Sequence, residues 1–139
     1  MNDSFNLQRF VDAQDPVYSQ VREELSRGRK RSHWMWFVFP QLKGLGHSWM
    51  ADKYGLASKG EAVAYVEHPV LGPRLRECSE LINAVENQRI DAILGYPDNL
   101  KFRSCMTLFV NMAPENESFH RALEKYFDGK PDKRTIELL

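Results

Sequence analysis

Leu71, Leu75, Cys78, Ile82 and Val85 recur at three- and four-residue steps, and this stripe constrains the fold more than any other feature of the chain. Only an α-helix gathers that spacing onto one face. Glu77, Glu80 and Asn83 fall on the opposite, wet side. Gly72 and Pro73 sit in the first turn, where proline is tolerated. His68 precedes Pro69, and a residue before proline avoids helical geometry. The spacing predicts a helix over 69–86 at the centre of the core.

The remaining punctuation is also helical. Asp15 before Pro16 reads as an N-cap, with Val17, Tyr18, Val21 and Leu25 on one face and Gly28 as the stop. A short helix carrying Leu7, Phe10 and Val11 precedes it. Ser48 caps a helix holding Trp49, Met50 and Tyr54, and Ser58 to Glu61 has capping-box spacing. Asp98 is read as the cap of a long helix with Leu100, Cys105, Leu108, Phe109 and Met112 inward. Phe119, Leu123, Tyr126 and Phe127 form another, stopped by Gly129, and Asp132 starts a last short one. The run 34–39 has a composition that suits a buried strand, but one strand has no partner, so it is read as a short buried helix ended by Pro40. The expectation is a single all-α domain over 1–139, an array of about seven short-to-medium helices, with 1–5 frayed.

Bulk properties bound the function. A chain of 139 residues buries roughly two-thirds of its unfolded surface and needs no metal or disulfide staple. Basic and acidic residues balance at 19 each, which argues against DNA and anionic membranes as partners. Cys78 and Cys105 lie among apolar residues, as reduced structural thiols do. The start lacks a basic n-region and an apolar core, and the longest apolar run, 34–39, is far short of the about 20 residues of a membrane span. A cytoplasmic location is expected.

The segment 29–41, RKRSHWMWFVFPQ, is where a binding site is expected. Ligand pockets are apolar walls carrying a few placed polar groups, and this segment supplies both. Trp34 and Trp36, two positions apart, point to different sides of a helix, so one faces the core and the other is free to line a groove. Ser32 is read first as a helix N-cap; a helix N-terminus there, reinforced by Lys30 and Arg31, would favour an anion. His33 is the acid/base candidate, because its intrinsic pKa lies near neutrality. Against this stand a solvated basic run and a structural histidine.

Three further groups carry candidate binding residues. Gln41, Gly44 and Gly46 lie in QLKGLGHS, a loop whose glycines let a ligand approach the backbone or simply make a hinge. His68 is either a ligand contact or the cap of the following helix. Arg74 offers a fork to a carboxylate or phosphate, or a surface pair with a glutamate. Asp98, Lys101, Ser104 and Thr107 step by three along one helix, a polar stripe that fits a buried groove better than a solvated face. Asp98 is the second catalytic candidate, beside its reading as a cap. The histidines have no HExxH or CxxC companions, so no metal is expected, and no dinucleotide, Walker or nucleophile-elbow signature is present, so no cofactor is expected.

The combination of SHWMWF with FPQ, of HP with LG and RL, and of an aspartate leading to K, S and MTLF resembles the bacterial family known as domain of unknown function 1810. The similarity runs from about Leu7 to Phe127. It implies a helical single-domain fold and no established activity. Members sometimes carry the label calpastatin. Inhibitory repeats of that protein are disordered, whereas this composition is globular, and Thr135, Ile136 and Glu137 lack the prolines of the inhibitory core motif.

The expectation for function is a helical domain binding a small anionic ligand, a nucleotide or nucleotide derivative, in one polar-aromatic pocket. An enzymatic version would use His33 or Asp98 as general base for metal-independent hydrolysis or group transfer. The alternative is a protein-interaction module with an aromatic anchor, its partner unknown.

Overall fold

The computed structural model describes residues 3–139. Ten helices follow one another: α1 Gln8–Gln14, α2 Tyr18–Ser26, α3 Met35–Val38, α4 Trp49–Tyr54, α5 Lys59–Glu67, α6 Leu71–Asn83, α7 Ile90–Leu94, α8 Asp98–Met112, α9 Glu117–Phe127 and α10 Lys133–Leu138. Among the described residues there is no strand. An isolated parallel bridge joins Leu42 to Leu56, and no helix is long and apolar enough to cross a membrane. The expected fraying of 1–5 lies partly outside the described residues; Asp3 accepts from the backbone N–H groups of Leu7 and Gln8.

The all-α class is as expected, but the count of about seven helices is corrected to ten among the described residues: nine lie at segments read as helical, and α7 is the one without a signal. The helix α7 has five residues, little more than one turn, and so short a piece shows no apolar period to read.

Leu71, Leu75, Cys78 and Ile82 are buried, as the stripe requires, and Val85 is half-buried just beyond the helix end. The helix α6 packs on α2, α5 and α9, while α8 packs on α5, α7, α9 and α10. Gly72 allows α6 to approach the end of α5: a Cβ there would stand 2.2 Å from the Val66 carbonyl oxygen. His68 Nδ1 accepts from the N–H groups of Val70 and Leu71, so His68 does cap α6. Ser48, Ser58 and Asp132 likewise cap α4, α5 and α10, and Gly28 and Gly129 end α2 and α9 at φ +71° and +73°. Glu61 reaches the Ala57 N–H and pairs with Arg9 at 2.9 Å.

Three local expectations are corrected. Asp15 does not cap α2, which begins at Tyr18 behind Val17; its carboxylate pairs with Arg74 instead. Asp98 does not cap α8 but is its first residue, behind Pro97. Leu100 points outward at 45% exposure. The core stripe of α8 is set by Phe102, Cys105, Met106 and Phe109, all fully buried. Phe102 meets Phe39 edge-on at 5.0 Å.

Candidate functional site

The segment 29–34, between α2 and α3, is organised around an internal anion. Glu24 Oε1 accepts from Arg31 N–H at 2.7 Å, Ser32 N–H at 3.0 Å and Trp34 Nε1 at 3.0 Å. Its Oε2 accepts from Ser32 Oγ at 2.7 Å and Gln20 Nε2 at 3.1 Å. Burial on its own raises a carboxyl pKa, but these donors favour the charged form more, and Glu24 is lowered to about 2. Ser32 is therefore not the cap of α3, whose N-cap is Trp34. The anion expected beside this segment is supplied by the chain itself.

Trp34 is buried and Trp36 half-buried; Trp34 is the N-cap, with non-helical backbone, so the turn into α3 and not the helical angle sets the two apart. Each indole carries an ammonium group over its face: Lys30 Nζ lies 5.2 Å from the Trp34 ring and Lys101 Nζ 4.7 Å from that of Trp36. Asp98 joins the two pairs. Its Oδ2 is 2.9 Å from Lys30 Nζ and its Oδ1 is 3.6 Å from Lys101 Nζ. The sequence places Lys30 and Asp98 about seventy positions apart and assigns Asp98 another task, so the linkage has no local signal. Lys30 N–H, which donates to the Ile93 carbonyl at 2.7 Å, sets the segment against α7.

Beside this cluster is a small cleft of about 10 Å³, lined by Trp36, Phe39, Gln41, Ala51, Tyr54, Gly55 and Lys101. That is room for about one water, too little for a nucleotide. Gly46 packs against two of its lining residues without lining it: a Cβ there would come 2.7 Å from Ala51 Cβ and 3.3 Å from Gln41 Nε2. Gly44 has φ +100° and open space around it, so it serves the turn.

Of the residues singled out from sequence, Lys30, Trp34, Trp36, Gln41, Gly46, Asp98 and Lys101 gather here. The others have different engagements. Ser104 Oγ donates to the Leu100 carbonyl within α8, and Thr107 Oγ1 accepts from Asp132 N–H, anchoring α10. Arg74 pairs with Asp15 at 2.8 Å, reaches Gln14 and lies over the Tyr18 ring, joining α6 to α1 and α2. His68 caps α6. His33 is exposed and makes no hydrogen bond or ion pair with a described residue. Among the described residues no cluster of three or more potential metal ligands occurs.

The fold and cleft define a helical protein whose most developed polar-aromatic feature is a pair of lysine-capped tryptophans sharing one aspartate. Residues 4–139 match the family described as Protein of unknown function (DUF1810), and the chain belongs to it. It is 55% identical to the conserved hypothetical protein Rv1873 from Mycobacterium tuberculosis, whose crystal structure superposes with a TM-score of 0.97 over 99% of this chain and 98% of that one. No curated protein matches it.

Proposed function

We propose that the chain binds a small anionic ligand at the mouth of the Trp36 and Lys101 cleft. The observation that carries this reading is the unequal engagement of the two lysines. Lys30 is committed to Asp98 at hydrogen-bond distance, whereas Lys101 stands at 3.6 Å, beyond it. Two ammonium groups against one carboxylate leave one positive charge, and Lys101 keeps donors for an outside anion. The cleft admits an oxygen-sized group, and a flat group would rest on the open part of the Trp36 indole. A nucleotide is the finer form of the proposal, its base outside the cleft and its phosphate on Lys101. Catalysis is left out. Asp98 is engaged by two cations and His33 has no orienting partner, so neither stands as an acid–base pair does.

A thermal-shift series with AMP, adenosine and inorganic phosphate tests the reading. A ligand that prefers the folded state adds about 2.7 kcal/mol at a hundredfold excess over its dissociation constant. AMP is expected to raise the melting midpoint more than either fragment, and Lys101→Met to abolish the rise. No shift with AMP or phosphate contradicts the proposal.

A second reading has its own observation. Trp49 is 71% exposed, with Lys53 over its ring at 5.2 Å, which suits an interaction anchor. Trp49→Ser leaves the AMP response intact if the ligand reading holds.

A further inference from the structure

The other face of the same segment carries a second feature. The N–H groups of Arg29 and Arg31 both point to Glu24, at its carbonyl and its carboxylate, while the N–H of Lys30 between them points to Ile93. The Arg29 bond is the helix-ending contact that follows left-handed Gly28, and the side chains of Arg29 and Arg31 both line the groove beside α2. Lys30 turns inward to Asp98, and Arg29 and Arg31 turn out, both exposed. With Arg27 at the end of α2 they edge an open groove of about 620 Å³ whose other walls include Ser19, Gln20 and Glu23. Arg27 pairs with Glu23 at 3.0 Å. Neither Arg29 nor Arg31 has an ion-pair partner among the described residues. The second carboxylate beneath them, Glu24, is turned to the N–H and O–H donors already described.

We propose that Arg27, Arg29 and Arg31 form a binding edge for the phosphodiester backbone of a single-stranded nucleic acid. The groove is lined by polar and charged residues only. A protein partner would need an apolar centre to anchor on, and none is offered. Arginine, serine and glutamine are side chains that contact phosphate and sugar without reading bases. Arginine forks at every second position on one groove suit a ligand that repeats its charge along a chain. The balanced total charge weighs against non-specific binding to duplex DNA, whereas three arginines on one edge act locally, within a Debye length of about 8 Å at physiological salt. The edge is independent of the Trp36 cleft.

Fluorescence anisotropy of a labelled oligouridine, read across a salt series with the full chain, tests it. Binding is expected on the order of 10⁻⁴–10⁻⁶ M at physiological salt and tighter below it. Each phosphate that Arg29→Gln or Arg31→Gln leaves without its guanidinium should reduce the slope of log affinity against log salt by about 0.7. Both residues are exposed, so the melting midpoint should hold; if one variant fails to fold, the other still reads the slope. Arg121→Gln, at an exposed arginine outside the groove that pairs with Glu117, should leave oligouridine binding unchanged. The proposal is overturned by no anisotropy change at low salt, by a slope indifferent to both arginines, by an equal loss of slope in Arg121→Gln, or by a polyglutamate peptide of equal charge competing as well as unlabelled oligouridine, which would make the edge an acidic-protein site.

Discussion

Lys30 Nζ lies 2.9 Å from Asp98 Oδ2, and the two side chains are only 9% and 18% exposed. This pair fastens the segment before α3 to the first turn of α8 and so places both tryptophans. Removing one member of a shielded pair strands the other charge. Lys30→Met is expected to cost roughly 1–3 kcal/mol, less than for a fully buried pair. Lys101→Met, at the longer distance, should cost under about 1 kcal/mol. Urea denaturation of the two variants checks the order; equal costs would mean that Asp98 is shared evenly.

Glu24 makes stability depend on acid. Its folded pKa is lowered to about 2 from an ordinary 4.5. A depressed carboxylate contributes stability that is fully present above the unfolded value and lost as pH falls through the folded one. The contribution is roughly 3 kcal/mol above pH 4.5 and disappears between about pH 4.5 and 2. Glu24→Gln places an amide against donors that need an acceptor. It should destabilise by about 2–4 kcal/mol at neutral pH and flatten the acid limb of the stability curve. A variant whose acid limb matches the parent would show that another group sets it.

Gly72→Ala should destabilise by about 2 kcal/mol or more, because the new Cβ meets a backbone oxygen that cannot swing away. Leu75→Ala, inside the same helix, should cost roughly 2–5 kcal/mol as a cavity mutation. Calorimetric melts of both test whether α6 is central. A change below about 0.5 kcal/mol, the usual surface scale, would place that helix outside the core.

His33→Gln should change stability by less than about 0.5 kcal/mol, since the ring is exposed and has no partner among the described residues. A drop of several degrees in the melting midpoint would reveal a structural role that the geometry does not contain.

What is legible in the sequence is whatever rests on local rules. The stripe of α6, the caps at Ser48, Ser58 and Asp132 and the glycine stops follow from helix geometry within a few residues. What is not legible depends on charges that meet across the fold. By position Glu24 is one more acid beside a basic run, yet it is the hub that displaces Ser32 from capping. By position Asp98 is a helix cap, yet it faces Lys30 from the other end of the chain. Ser104 and Thr107 share a stripe with Lys101, but their hydroxyls are satisfied by Leu100 and Asp132, so the stripe divides between the cleft and the seat of α10.

The most direct test of the central claim is tryptophan fluorescence during an AMP titration of Trp49→Phe, which removes the exposed indole and leaves Trp34 and Trp36. The account predicts saturable quenching that Lys101→Met weakens at least about tenfold, an effect of about 1.4 kcal/mol, while Trp36→Phe removes most of the signal. Quenching that survives Trp36→Phe, or an affinity untouched by Lys101→Met, would contradict it.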